Sequence, residues 1–472
     1  MRMKQPKVPL TPYRDLAYRV RQLKPILNVI KRQLRIIVYI YRISTKNVIK
    51  AIRAIFLQRS TIVVAIFAYL CEVVPNLLKN ATKHLFELKA KGFLSEAWQI
   101  IIAPLQADRL PIFMIRLVAT LNAMNPIFMK LLYPYVDGEY FLFTTTFLAG
   151  LVSSILNFPR FQELKIEEDK FYTFDWTCIL VTKAIDTVIS TTVSPHVSAH
   201  TNDLIDLLVI LVSTYCVMTA WWFKPDKLSP QMVNWITKMT RIDPSVQKGV
   251  QELHEGTVSY TAQEASPEQD SFQSFAALRG KNSKLGDLTQ HEKLPCEVLH
   301  EFTTHSCLKH TFDIFVSQFI SSLRFYSYVN LFTFVFFRGF RGNMRKVCLK
   351  TIKSSLFVSS LTTIHWGCIC FIRNHHPKWF GQKYWDILGI KIGSALAGLS
   401  VLFESAKKRQ DLMLFVTPKA LGTFFDAADS TKRRQLETAA FSFSFAILVA
   451  FARLSPARLR GVVGKGLSYM VM

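Results

Sequence analysis

Long apolar runs separated by short polar stretches dominate this 472-residue chain. A helix crosses the hydrocarbon core of a bilayer with about 20 apolar residues, so each long run is a candidate membrane span. The runs that meet this length best are 61–78, 139–158, 204–223, 354–373 and 384–404. The pattern predicts an all-α, polytopic transmembrane helical protein and disfavours the alternative, a large soluble helical bundle.

Weaker apolar runs leave the number of spans open. The run 312–337 is long enough but contains Arg324, and the run 438–453 is short. Charged residues or prolines interrupt three further apolar segments, 27–43, 98–134 and 173–195.

The character of the chain changes between 224 and 295, where apolar runs stop and Gln, Glu, Ser, Gly and Lys prevail. This composition is typical of a flexible polar linker that is exposed to solvent. The linker divides the chain into a first membrane half, 27–223, and a second membrane half, 296–472.

The two halves resemble an internal repeat. The tetrapeptide Leu-Ala-Gly-Leu at 148–151 recurs at 396–399, and other short matches follow in the same order. Related membrane units pack about a pseudo-symmetry axis and enclose a groove or pathway. Each unit contains four apolar segments, and an even number of spans predicts parallel repeats, with both termini and the linker on one side.

Small residues recur at helical spacing in both halves. Such stripes let a neighbouring helix approach closely, so we expect them to pack helices between the repeats or between subunits. The candidate packing residues are Gly389, Gly393, Ala397 and Gly398 in the second half, and Ala149 and Gly150 in the first.

The charge balance is strongly basic, with 58 Lys and Arg against 33 Asp and Glu and a net charge of +25. Positive charge crowds 1–60 and the edges of the apolar runs, which is a juxtamembrane pattern. Region 1–60 is predicted to be a basic amphipathic helix on a membrane surface, with an organelle targeting segment as the alternative. No motif indicates nucleic-acid binding. The expected partners are the lipid membrane and a homo-oligomer or membrane-protein complex.

Two charged residues, Arg324 and Asp386, lie within or at the end of apolar runs. Charges in hydrocarbon usually face the interior of the bundle, form pairs or line a path. These two residues are candidates to pair with each other, and a transport pathway would lie near them. The alternative is an interfacial position, from which the charge reaches the headgroups.

A compact Cys/His motif precedes the second membrane half. Thiolate and imidazole together complete tetrahedral zinc sites, so the motif makes zinc the one candidate cofactor. The alternatives are a turn with reduced thiols and a palmitoylated patch. No catalytic motif is present, which predicts a protein that is not an enzyme. The candidate metal ligands are Cys296, His300, His305 and Cys307.

A series of motifs begins with the Cys/His motif and continues through the second half. In chain order they are Pro295 to His300, Ser306 to Leu308, Ser354, Ser355, Phe357, Trp366, Cys370, Arg373, Ala397 to Ser400, Phe403, Glu404, Lys408, Arg409, Pro418, Ala420 and Leu421. In this order the motifs resemble the transmembrane protein 135 family, and the resemblance covers roughly 295–472.

The resemblance implies a multi-spanning protein of peroxisomal and mitochondrial membranes, linked to peroxisome function, lipid metabolism and mitochondrial division. It also implies a distant similarity to the channel subunits of mitochondrial import translocases. We therefore expect an organelle membrane protein, peroxisomal first and mitochondrial as the alternative. Its expected role is organelle homeostasis and the handling of lipids or metabolites. A translocase-like subunit or assembly scaffold is the second hypothesis. A membrane-bound enzyme with a metal centre at the Cys/His motif is the third.

Overall fold

In the computed structural model, the described part of the chain is helical wherever it has regular structure. The description covers residues 55–56, 58–87, 92–106, 109–136, 138–261, 270–338, 343–377, 379–425, 430–456 and 459. Most of the predicted amphipathic region 1–60, and the whole of the apolar run 27–43, lie outside these residues.

The described part of the first half consists of six helices. They are α1 (Arg59–Glu87), α2 (Phe93–Ile102), α3 (Leu110–Leu132), α4 (Glu139–Ile166), α5 (Tyr172–Thr192) and α6 (Ala199–Phe223). Local sequence sets several of the starts. Ser198, for example, begins α6 by accepting a hydrogen bond from the backbone N–H of Thr201 at 3.1 Å, as expected of an N-cap residue.

From Cys307 onwards, the described part of the second half contains five helices. They are α11 (Cys307–Arg338), α12 (Met344–Asn374), α13 (Gln382–Ala397), α14 (Ala406–Gly422) and α15 (Thr431–Leu454). A 3₁₀ segment, Gly398–Phe403, extends α13. Between the halves lie four short helices, α7 (Pro230–Thr240), α8 (Pro244–Glu255), α9 (Ser271–Leu278) and α10 (Cys296–Leu299).

Among the described residues, eight helical segments are long and apolar enough to cross a membrane, and the fold is that of an all-α polytopic membrane protein. These segments include the strong runs of the sequence, the short run 438–453 and the interrupted segments 98–134 and 173–195. Helices α11 and α14 are the long helices outside this set. Helix α11 carries Arg324, and α14 begins with the charged run 407–411.

The two halves make equivalent helix contacts. Helix α3 packs against α1 and α4, as α12 packs against α11 and α13. The last helix of each half packs on the other half. Helix α15 packs on α4 and α5, and α6 packs on α13 and α14. Helices α5 and α14 contact each other. Exchanging α1 with α11, α3 with α12, α4 with α13, α5 with α14 and α6 with α15 reproduces these main contacts.

We call α6 and α15, which pack on the opposite half, the exchanged helices. Side-chain contacts give their directions. Helices α6 and α14 run parallel, because Asp203 meets Arg409 and Ser213 meets Thr417 farther along both. Helices α4 and α15 run antiparallel, because the start of α4 contacts the end of α15 through Phe143.

Every helix therefore runs opposite to its equivalent in the other half. Helices α1, α4, α6, α12 and α14 run towards the end of the bundle that carries α7–α10, and α3, α5, α11, α13 and α15 run away from it. Units with an odd number of long helices are related by an axis in the membrane plane. The expectation of parallel repeats with four spans each does not fit the described residues, in which each half contributes five long helices of opposite direction.

Two glycines make equivalent close contacts between the halves. A methyl group on Gly150 of α4 would meet α15, lying 3.1 Å from the Cα of Ala446. A methyl group on Gly398, at the end of α13, would meet α6, lying 3.1 Å from the Cα of Leu211. These glycines occupy equivalent places in the recurring tetrapeptide. Close packing at both sites needs the absence of a side chain.

The polar region between the halves is folded, so the prediction of a flexible linker over 224–295 is wrong for its described residues. We call 224–261 together with 270–300 the cap. Its core contains one or two apolar residues from each turn, including Ile236, Val250, Phe272 and Leu288. Helices with narrow apolar stripes bury them against each other even when the overall composition is polar. Residues 262–269 lie outside the described residues.

Candidate functional site at the cap junction

The cap docks on the ends of α6, α12 and α13. Trp222 at the end of α6 is 1% exposed and lies in the same apolar core as Val250 and Phe272 of the cap. Its indole N–H donates to Nε2 of His365 on α12 at 2.8 Å. The hydrogen bond satisfies a buried donor and joins two helices from different halves.

A buried ion pair lies at the centre of this junction. The guanidinium of Arg373, near the end of α12, donates from Nε to Asp386 of α13 at 2.6 Å and from Nη2 to the carbonyl of Leu294 at 2.8 Å. The Tyr260 hydroxyl of the cap donates to the same carboxylate at 2.6 Å. Burial, with the negative charge of Asp386, raises the pKa of Tyr260. The phenol therefore remains a donor at neutral pH.

The ion pair corrects a sequence prediction. Asp386 pairs with Arg373 and not with Arg324, whose side chain is exposed on α11. The predicted pairing is wrong because Arg324 lies on an exposed face of α11, whereas α12 packs against α13 and places Arg373 beside Asp386. Arg373 was missed as a partner because it lies at the end of an apolar run. Arg373 and Asp386 meet because α12 and α13 are antiparallel neighbours, so that the end of α12 lies beside the start of α13.

A cluster of sulfur and nitrogen ligand atoms lies one helical turn from Arg373. Nε2 of His300 is 3.4 Å from Sγ of Cys370, and the ligand atoms of His300, Cys307 and Cys370 all lie within 4.8 Å of one another. The amide of Asn374 contacts Sγ of Cys307 at 3.5 Å and Sγ of Cys296 at 3.8 Å. Burial lowers the pKa of His300 and raises that of Cys307.

The predicted metal ligands are thus only partly brought together. Cys296, His300 and Cys307 lie at the cluster, but His305 points into solvent, with 85% of its side chain exposed and an ion pair to Glu297. The loop turns His305 outwards between His300 and Cys307. The residue that sequence spacing missed is Cys370, on α12. Trp366, Cys370 and Asn374 are spaced by four residues, so they lie on one face of α12. This spacing is the sequence signal that could have pointed to Cys370.

The cavity at the junction is too small for a substrate. It measures about 20 Å³ and is bounded by Trp222, Trp366 and Arg373 among others. A cavity of this size holds about one water molecule. The junction therefore holds elements together and does not itself form a substrate pocket.

A second group of polar contacts lies where the two halves meet. We call the contacts of α4 and α5 with α15, of α6 with α13 and α14, and of α5 with α14 the seam. Glu437 of α15 is 5% exposed, and Thr177 of α5 donates to its carboxylate at 3.5 Å. Lys419 of α14 pairs with Asp175 of α5. An ionisable residue inside a membrane bundle is a candidate for function, and sequence analysis did not single out Glu437.

The small-residue stripe packs helices within one half as well as between halves. Gly389 and Gly393 face Ile369 and His365 of α12, in the same half. Ala397 and Ala149 are fully buried, and Gly398 and Gly150 face the exchanged helices α6 and α15. The residues therefore contribute to helix packing inside the chain.

Comparison with known proteins identifies no relative: no family model, no curated protein and no solved structure matches this chain.

The cap also contains a carboxyl group that makes its stability depend on pH. Asp270 is the N-cap residue of α9 and accepts a hydrogen bond from the N–H of Phe272 at 2.8 Å. Burial raises its pKa from 3.8 to about 6, and the charge of Glu252 acts in the same direction. The folded cap binds this proton more tightly than the unfolded chain, so its contribution is complete below pH 3.8 and disappears as the pH rises through 6.

We expect Asp270→Asn to stabilise the protein by about 1 kcal/mol at pH 8, because asparagine keeps the cap acceptor and removes the charge. At pH 4 the variant and the wild type should unfold together. Thermal unfolding in detergent at both pH values measures the difference. Asp287→Asn is the control, and it should lower the stability at pH 8 instead of raising it, because hydrogen bonds from Thr289 lower the pKa of Asp287. An equal loss of stability at both pH values in Asp270→Asn would contradict the prediction.

Proposed function

We propose that this protein is an integral protein of an organelle membrane, peroxisomal first and mitochondrial as the alternative, that handles a lipid or metabolite between its two halves. The observation that carries the proposal is the inverted arrangement of the halves around a seam that contains a buried carboxyl group, Glu437. In transporters built from inverted repeats, the substrate site lies where the repeats meet. The resemblance to the transmembrane protein 135 family supports the choice of organelle and of lipid chemistry.

The outer surface of the bundle supports a lipid environment. Helices α1 and α11 expose large apolar side chains along most of their length, including Phe67, Leu78, Phe312 and Tyr328. Their opposite faces pack on α3 and α12. Apolar surface of this extent is stable in hydrocarbon and costly in water.

The translocase or scaffold hypothesis uses the small-residue stripe as a contact with another subunit. Gly389 and Gly393 instead pack on α12. The stripe therefore gives that hypothesis no support.

Complementation of cells that lack the protein tests the proposal. Tagged wild type, Glu437→Gln and Glu163→Gln are expressed at equal abundance, imaged against peroxisomal and mitochondrial markers, and tested for extraction by carbonate. The lipids and small metabolites of the isolated organelles are then quantified. Glu163 is exposed on α4 and provides the matched control.

We expect carbonate-resistant protein on peroxisomes, and organelle composition restored by the wild type and Glu163→Gln but not by Glu437→Gln. Full restoration by Glu437→Gln would contradict a role of the carboxyl group at the seam. An unchanged composition in cells without the protein would contradict lipid or metabolite handling altogether.

A further inference from the structure

The cap is joined to the second half by a set of ligand atoms whose chemistry is that of a metal site. The atoms come from three separate elements. Cys296 and His300 lie in and next to α10 of the cap, Cys307 is the first residue of α11, and Cys370 lies in the last turns of α12. Three sulfur atoms and one imidazole nitrogen are a common donor set for structural zinc.

The distances among His300, Cys307 and Cys370, three of the four ligands, fit a tetrahedral ion. Zinc–sulfur bonds of about 2.3 Å and zinc–nitrogen bonds of about 2.0 Å place neighbouring ligand atoms about 3.5 to 3.8 Å apart. Nε2 of His300 and Sγ of Cys370 are 3.4 Å apart, which is close to this separation. The atoms of His300, Cys307 and Cys370 lie within 4.8 Å of one another, so small side-chain rotations bring all three to one centre.

Groups around the cluster orient these atoms as the surroundings of a metal site do. The Nδ1 atom of His300 is 3.0 Å from the carbonyl of Thr304, which places Nε2 towards the sulfur atoms. A backbone carbonyl on the other ring nitrogen is a usual partner of a metal-bound histidine. Asn374 directs its amide towards both Cys307 and Cys296.

The loop between His300 and Cys307 is held in an unusual conformation that brings the ligands together. Glu301 and Phe302 both have positive φ angles, 55° and 58°. Non-glycine residues adopt this conformation at a cost, which the surroundings must offset. Glu301 accepts a hydrogen bond from the N–H of Asp243, and the ring of Phe302 stacks on Phe275.

We propose that Cys296, His300, Cys307 and Cys370 bind one structural zinc ion that fastens the cap to α11 and α12. The proposal is independent of any function at the seam. Zinc binding to three thiols releases their protons to solvent and makes ligation and folding of the junction one event.

Metal analysis of the purified full-length protein tests the proposal directly. The protein is prepared in detergent under reducing conditions without chelator, and its zinc content is measured by mass spectrometry. We expect about one zinc per chain in the wild type and a loss of most of it in Cys307→Ser. His305→Ala is the matched control: its ring lies on the same loop but is exposed, so zinc should stay bound.

Two further measurements test the proposal even if Cys307→Ser does not fold. Asn374→Ala keeps all four ligands and should weaken zinc binding about tenfold. Cobalt added to the metal-free wild type should give the visible absorption of a tetrahedral ion with thiolate ligands. Wild-type protein without stoichiometric metal, a disulfide between cluster cysteines in the reduced preparation, or equal zinc loss in His305→Ala and Cys307→Ser would each overturn the proposal.

Discussion

Replacing Arg373 with methionine should lower the free energy of unfolding by about 3–5 kcal/mol, the usual cost of removing one partner from a buried ion pair. The side chain of Arg373 is 2% exposed and that of Asp386 is 9% exposed. The change leaves the carboxylate of Asp386 buried with the Tyr260 hydroxyl and the amide of Gln382 as its remaining hydrogen-bond donors. It also removes the donor to the carbonyl of Leu294.

Denaturation by SDS in mixed micelles, followed by tryptophan fluorescence, measures this loss, since Trp222 and Trp366 lie at the junction. Arg324→Met is the matched control, because Arg324 is exposed and the same substitution there should change stability by less than about 0.5 kcal/mol. The double variant Arg373→Met with Asp386→Leu should recover part of the loss, because no charge is then buried without a partner. Equal effects of Arg373→Met and Arg324→Met would show that the pair does not stabilise the junction.

The sequence predicts the membrane helices well, because the bilayer requires a run length that is visible in one dimension. Runs such as 204–223 and 384–404 therefore correspond to helices α6 and α13. The same argument fails for the cap. Its buried residues, such as Phe272 and Leu288, are spaced singly along polar segments, and only their contacts with α6 and α12 show that they form a core.

Site residues could be predicted only where they are close in sequence. Cys296, His300 and Cys307 lie within one short stretch, whereas Cys370 reaches them from another helix. In the same way, Asp386 stands out as a charge in an apolar run, but its partner is decided by the packing of α12 on α13. Composition shows that a buried charge needs a partner, and the register of two helices determines which one it has.

The equivalence of the two halves predicts a second large effect, at Gly150 and Gly398. A side chain at Gly150 would place its Cβ atom 2.7 Å from a methyl group of Val449 and 3.1 Å from the Cα of Ala446. At Gly398 the corresponding distances are 3.0 Å to a methyl group of Leu211 and 3.1 Å to its Cα. In each case the first contact is a side chain that can rotate, and the second is backbone that cannot move alone.

Gly150→Ala and Gly398→Ala should each cost about 1–3 kcal/mol, and the valine variants more, because overpacking forces the exchanged helix away. The unfolding assay in mixed micelles measures both. Val449→Ala combined with Gly150→Ala should recover only part of the loss, since the backbone contact at Ala446 remains. Gly381→Ala is the control: its φ angle is −62° and a methyl group there meets no atom within 4 Å. A loss at Gly150 with none at Gly398 would mean that the inverted halves do not depend equally on the exchanged helices. Similar losses at both would show that the last helix of each half stabilises the other half.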